Sequence, residues 1–314
     1  MRTLPPYYFY LLIMAALFPP FFHQLWVHRT YFFFLQNFAW KMPTSFYAQT
    51  WTLAVLEFFY LLFPLVLLLM SKIARNYLAC FLLTVVFFLG VPLLIRVLHT
   101  QVEAWEGFEE LFRKCVVFRL DTPVAGVVLA LIEIELPSVW LWLLRHSWMG
   151  LIAFGGCAAY YLAQFPLLLS SHWLQVFFYP IVALSIALIF PLMCSWKMGH
   201  SLFHSLVCAV SKISYSIYVS HYFALSIGLT LLIVLGISND HWVTACLVFA
   251  ICVGVIADLS YRLTEAPFIR LRESKLPQPS YFLAIYRVTH RKIRSWLPVR
   301  HASALSPKSA EIAE

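Results

Sequence analysis

The stretch WTLAVLEFFYLLFPLVLLLM, residues 51–70, contains one charged side chain, Glu57. A run of this length and apolarity reads as a helix able to cross about 30 Å of hydrocarbon. Strands of a membrane barrel would alternate apolar and polar residues, and this stretch does not. The acid is the odd residue. An ionisable group inside a span is costly, so it marks either a helix–helix contact or a functional position.

The rest of the chain has the same character. Of 314 residues, 62% are hydrophobic and 11% are charged, against about 25% charged in soluble domains. The expected fold is all-α, a polytopic transmembrane helix bundle in the lipid bilayer. About eight spans are expected, near 4–22, 51–70, 76–98, 122–143, 147–166, 175–194, 213–236 and 243–263. Glu133, Glu135 and Pro137 interrupt the fourth. The opening MRTLPPYYFYLLIMAALFPPFF has no small-residue cleavage site, so no cleavable signal is expected.

Charge sets the orientation. With the N-terminus cytoplasmic, only Arg29, Lys41, Arg96, Arg113, Lys114 and Arg119 of the 22 Lys and Arg residues face the opposite side. The positive-inside rule therefore favours N-in and C-in. The formal charge of +8 follows from location and needs no nucleic acid partner. Residues 1–267 are expected to form the membrane domain and 268–314 a basic, partly disordered cytoplasmic tail. Its 281–297 part either lies on anionic headgroups or stays disordered. The aromatic segment 23–50 is expected at the interface. Segment 99–120 is the second long loop on that side. The seven cysteines show no C-x-x-C pair and no His/Cys spacing for a metal, so they read as small core residues and no metal site is expected.

Four polar constellations interrupt the apolar pattern. Glu57 shares a helix face with Tyr60 and with Pro64, which should kink the helix. In SKISYSIYVSHYF, 211–223, Ser214, Tyr218, His221 and Tyr222 fall at helical spacing and form one polar stripe. These side chains can bind hydroxyls or pass protons; the alternative is interhelical hydrogen bonding. In ADLSYRLTEAPFIRLR, 257–272, Asp258 and Arg262 stand at i,i+4, with Tyr261 and Glu265 beside them and Pro267 as a helix stop. In FRLDTPVAGVVLAL, 118–131, Asp121 or Thr122 can cap a helix, and Arg119 sits just before it.

Together these stretches resemble the acyltransferase family 3 of membrane proteins. WTLAVLEFFYLLFP is similar to the family's W-S-L-A-V-E-E-Q-F-Y-L-L-W-P. FRLDTPVAGVVLAL is similar to R-x-D-x-L-L-x-G-x-L-x-A-x-L, ISYSIYVSHYF to I-S-Y-S-L-Y-L-x-H, and LSYRLTEAPFIRL to x-S-Y-x-x-I-E-x-P-x-I-x-L. The opening RTLPPYYFYLL resembles the R-x-x-P-x-Y that starts the family's third span. The five stretches occur in the family's order.

The resemblance implies an enzyme moving an acyl group, often acetyl, from acyl-CoA or a similar thioester. The acceptor would be a hydroxyl of a sugar, polysaccharide or lipid-linked molecule at the bacterial inner membrane. No bound cofactor is implied. The resemblance also implies that the chain begins at the family's third span, so the His of the family's first span has no counterpart here. The family's Glu stands where this chain has Leu56, one position before Glu57. His221 and Glu57 are then the candidates for proton handling. Trp51, Tyr60, Arg119, Asp121, Ser214, Tyr218, Tyr261 and Glu265 are candidates for substrate binding, and Arg2, Lys72 and Arg75 for holding the donor's phosphates. Two readings compete with catalysis: a truncated or degenerate relative acting as a scaffold, and a transporter or flippase of a sugar-like or lipid-linked molecule.

Overall fold

The computed structural model describes residues 3–17, 29–42, 46–74, 76–99, 101–163, 169–196, 202–236 and 242–275. Among them every regular element is helical, as the composition dictates.

The opening stretch forms α2, Trp51–Ile73, after a short 3-10 turn at Ala48–Thr50. It buries Leu53, Ala54, Val55, Phe59 and Val66, and it continues through the exposed Pro64 to Ile73. Its partner α3 spans Tyr77–Leu98 and is capped by the Asn76 side chain, which accepts from Leu78 N–H at 3.1 Å. Phe59, Phe63 and Phe88 pack between the two helices, with ring centroids 5.4 and 5.6 Å apart.

Helix α4, Asp121–Glu135, runs antiparallel to α3. Arg96 meets Asp121 near one end, and Tyr77 donates to Glu135 at 3.2 Å near the other. The span expected over 122–143 therefore ends at Glu135. Leu136 leaves the helical region (φ −130°, ψ 63°), and Pro137 opens a separate helix, α5, Pro137–Arg145. The acids that interrupted the sequence pattern sit at the end of the span.

Helices α6, Ser147–Ala163, and α7, His172–Ser195, pack as a pair. So do α8, Leu202–Val234, and α9, Trp242–Ser260. Gly228 permits the second close approach, because a Cβ there would fall 2.6 Å from the Phe249 ring. Pro267 does not stop the last helix. A π-turn at Tyr261–Glu265 precedes it and α10 continues over Ala266–Lys275. The wider π-turn relieves the clash that a proline ring makes with the preceding turn.

Among the described residues five stretches are long and apolar enough to cross a membrane: Ala48–Ile73, Tyr77–Leu98, His172–Ser195, Leu202–Val234 and Val243–Arg272. A sixth arises if Trp105–Arg113 and Val116–Glu135, bent by 73°, count as one span. The first and fifth of the eight expected spans appear as shorter apolar helices, α1, Leu4–Leu17, and Ser147–Leu162 within α6. The cysteines divide: Cys80, Cys115 and Cys252 are buried as expected, whereas Cys194, Cys208 and Cys246 are exposed.

The described parts of segment 23–50 do not lie flat. Tyr31, Gln36, Asn37, Phe46, Tyr47, Gln49 and Thr50 are buried. Tyr7 donates to Tyr31 O at 2.6 Å, Tyr31 to Phe46 O at 2.7 Å, and Tyr47 to Val219 O at 3.2 Å. Burial pushes the Tyr31 and Tyr47 hydroxyls above their ordinary range, so both remain protonated donors. Tyr47 adopts φ 38°, a strained left-handed conformation for a bulky residue. Asn37 Nδ2 then donates to Trp51 O at 3.2 Å and Lys114 O at 2.5 Å. The two long loops thus form one packed layer over the start of α2.

Candidate active site

The buried face of α8 is Ser216, Val219, Ser220, Ala224, Gly228 and Leu232. The expected stripe lies beside it and splits. Ser214 is exposed and bonds its own helix at Ser211 O, 2.8 Å away; Tyr222 is 47% exposed. Tyr218 and His221 are half-buried at the edge nearest α2. The Tyr218 hydroxyl donates to Gln49 O, which holds the turn before Trp51 against α8.

His221 Nδ1 lies 2.6 Å from Tyr218 O. A carbonyl only accepts, so Nδ1 carries the proton. In the neutral ring that leaves the lone pair on Nε2. The Tyr222 ring stands 4.8 Å from the imidazole.

A residue that sequence reading passed over stands beside the start of α2. Arg113 sits 5.3 Å over the Trp51 ring and pairs with Glu109. Glu109 accepts from Tyr179 at 3.0 Å, and Arg119 lies 4.6 Å over the Tyr179 ring. Arg96, 1% exposed, donates to Phe118 O and to Asp121 Oδ2 at 2.6 Å. Asp121 is thus an ion-pair partner, and no side-chain cap is made at this helix start. Local pattern gave one hint of Arg113: Glu109 precedes it by four positions. Arg96 and Tyr179 gave none, because their partners are distant in the chain.

Glu57 answers the question posed by its span. It accepts from Thr3 Oγ1 at 3.0 Å, and Tyr215 donates to Thr3 O at 2.7 Å. The acid and α8 together hold the start of α1. Leu56 and Tyr60 instead line a groove of about 580 Å³ against Pro123, Gly126 and Val127, and Tyr60 is 61% exposed. Glu57 is not among the groove's lining residues, so the face it was expected to share with Tyr60 is divided. One position is about 100° of helix, which separates the Leu56 and Glu57 surroundings.

Glu265 is fully buried and accepts from Ser216 at 2.7 Å. Tyr261 lies under Lys212, with 5.2 Å from ammonium to ring, and Asp258 pairs with Arg262 at 2.8 Å. Lys72 is exposed in the last turn of α2. Arg2 and Arg75 lie outside the described residues, as does the tail beyond residue 275. Arg113 stacks on Trp51, while Tyr218 and His221 form a pair on α8 that is tied to the turn before Trp51 through Gln49 O. Arg119 and Asp121 form a neighbouring group, while Tyr261 and Glu265 form a third near the end of α9.

The edge of α8 offers an imidazole nitrogen and a phenol oxygen, and the start of α2 carries a guanidinium stacked on Trp51. Neither a curated protein nor a solved structure matches the chain. A family-wide sequence model described as an acyltransferase domain matches residues 1–260, which covers α1 to the end of α9. The protein, a helical membrane protein, therefore belongs to acyltransferase family 3.

Proposed function

We propose that the protein transfers an acyl group, acetyl above all, from an acyl-CoA-type thioester to a hydroxyl of a sugar, polysaccharide or lipid-linked acceptor. The setting is the bacterial inner membrane with both termini cytoplasmic. The observation that carries the catalytic reading is the His221 Nδ1 contact with Tyr218 O, which leaves Nε2 as the proton acceptor. In the proposed step Nε2 takes the acceptor's O–H proton while its oxygen attacks the thioester carbonyl. The new C–O bond forms a tetrahedral oxyanion. The C–S bond then breaks, and the leaving thiolate takes the proton from His221.

Arg113, with Trp51 beneath it, is the proposed cation facing the oxyanion. Tyr218 orients the acceptor. Glu57, bonded to Thr3, acts as an anchor for α1 in this scheme. The competing reading, a non-catalytic relative, draws support from Leu56 in the groove where the family carries an acid.

The test uses the full chain in lipid nanodiscs with radiolabelled acetyl-CoA and a sugar acceptor. His221→Ala is expected to lower transfer by about 10²- to 10⁴-fold, the usual contribution of a positioned base. Full activity in that variant would remove His221 from the mechanism. No transfer by the parent chain would favour the non-catalytic reading.

A further inference from the structure

A cavity of about 340 Å³ lies among α3, α4, α5 and α7. Each helix gives it one face. Asp121, Ala125, Val128, Leu129 and Ile132 recur at helical spacing along α4. Ala183, Leu184 and Ala187 do the same on α7, and Leu89 enters from α3. The chain turns at Pro137, and Leu143 of α5 packs beside Leu129 and Ala187, away from Asp121. Two lining residues, Leu89 and Leu184, are exposed, so the cavity opens to the outside of the bundle there.

Its lining is apolar except for Asp121. Asp121 accepts from Arg96 Nη2 at 2.6 Å. Arg96 follows Leu89 by seven positions, so it stands on the face of α3 that meets the cavity. It is 1% exposed, yet its Nε and Nη1 are buried without a hydrogen-bond partner among the described residues. Donors left unmet in this way are costly. A guanidinium only donates, so what completes it is an acceptor oxygen.

Three features narrow the ligand. The volume falls at the lower end of the about 300–1,000 Å³ usual for ligand sites, which suits one hydrocarbon chain. From Asp121 to Ile132 the α4 face covers eleven positions. That is about 16 Å of rise, close to half of a hydrocarbon core of about 30 Å, so it matches the reach of one leaflet's acyl chain. The polar end lies where α3 ends and α4 begins, at the edge of the apolar spans, which is the level of a lipid's ester groups. An ester carbonyl is a neutral acceptor. It brings no second negative charge to Asp121, as a free carboxylate would.

We propose that this cavity holds one acyl chain of an ester-linked membrane lipid, with the ester carbonyl at the Arg96–Asp121 pair. In the proposed orientation that lipid belongs to the leaflet away from the cytoplasm. The site itself rests neither on that orientation nor on the acyl-transfer reading.

The test uses the full chain in nanodiscs with a trace of phosphatidylcholine carrying a diazirine on one acyl chain. Irradiation and peptide mapping read the label on the cavity walls of α4 and α7, relative to the exposed Leu247, Ile251 and Val255 of α9. The surrounding lipid is either diester or diether phosphatidylcholine. A diether lipid lacks the carbonyl, so it is expected to compete for the cavity roughly tenfold more weakly, the scale of one bond to a charged donor. The label ratio is then about tenfold higher in the diether matrix. This comparison uses the parent chain, so misfolding cannot produce it.

Ala125→Phe with Ala183→Phe fills the cavity and is expected to bring the ratio to the same low value in both matrices. An equal ratio in the two matrices for the parent chain, or a matrix effect that survives filling, overturns the proposal.

Discussion

Two Arg–Asp pairs in this protein have nearly the same geometry and opposite settings. Arg96 and Asp121 meet at 2.6 Å with side chains 1% and 8% exposed. Arg262 and Asp258 meet at 2.8 Å with side chains 72% and 46% exposed. In water the attraction is screened and competes with side-chain entropy, so an exposed pair contributes little. In the buried pair each charge has lost its hydration, and the partner compensates most of it, with Phe118 O accepting from Arg96 and Thr122 Oγ1 donating to Asp121 at 3.4 Å. The contact distance alone does not rank them; the surroundings do. The buried pair ties α3 to α4, while the exposed pair only connects successive turns of α9 and its π-turn.

Breaking the buried pair is the largest expected effect. Arg96→Met leaves Asp121 charged without its partner and is expected to cost about 3–5 kcal/mol. Denaturant unfolding in detergent would measure it. Adding Asp121→Leu should recover part of that loss, because no isolated charge then remains buried. A single Arg96→Met variant as stable as the parent would break the comparison.

Next comes Glu265, which is buried but held by a hydroxyl. Glu265→Ala is expected to cost about 2 kcal/mol, since the buried bond from Ser216 is lost and its hydroxyl is left without that acceptor. Glu265→Gln keeps an acceptor at the same reach and should cost about half as much. Equal losses in the two variants would show that packing, and not the bond, is what Glu265 supplies.

The same contrast explains what the sequence made legible. Asp258 and Arg262 stand four positions apart, so helical periodicity placed them together. Arg96 and Asp121 are 25 positions apart, and no local rule links them. The apolar runs located the spans at 51–70 and 76–98, because twenty apolar residues have few other fates in a membrane. The faces of those helices were harder. Aromatic and imidazole groups drew attention to Tyr218 and His221, yet α8 buries its small residues Ser216, Ser220, Ala224 and Gly228. Close helix packing favours small side chains, so bulky polar ones move to the edge. Glu57 was legible as an exception, but its partner Thr3 comes from another helix start.

Glu57 falls between the two ion pairs in both burial and expected effect. It is half-buried, and Thr3 can donate to an amide oxygen as well as to a carboxylate. Glu57→Gln is expected to cost less than about 1 kcal/mol and to keep acyl transfer within roughly threefold. Adding Leu56→Glu places an acid in the groove beside Tyr60. A large gain in transfer from that second change would mean that the groove is the reacting site and that His221 is misassigned.

The smallest expected stability effect belongs to Asp258→Asn, within about 0.5 kcal/mol of the parent by denaturant unfolding. Both partners remain solvated when the pair is broken, so neither charge is stranded. A stability loss above about 2 kcal/mol would place Arg262 and Asp258 in the same class as Arg96 and Asp121, and burial would no longer be what separates them.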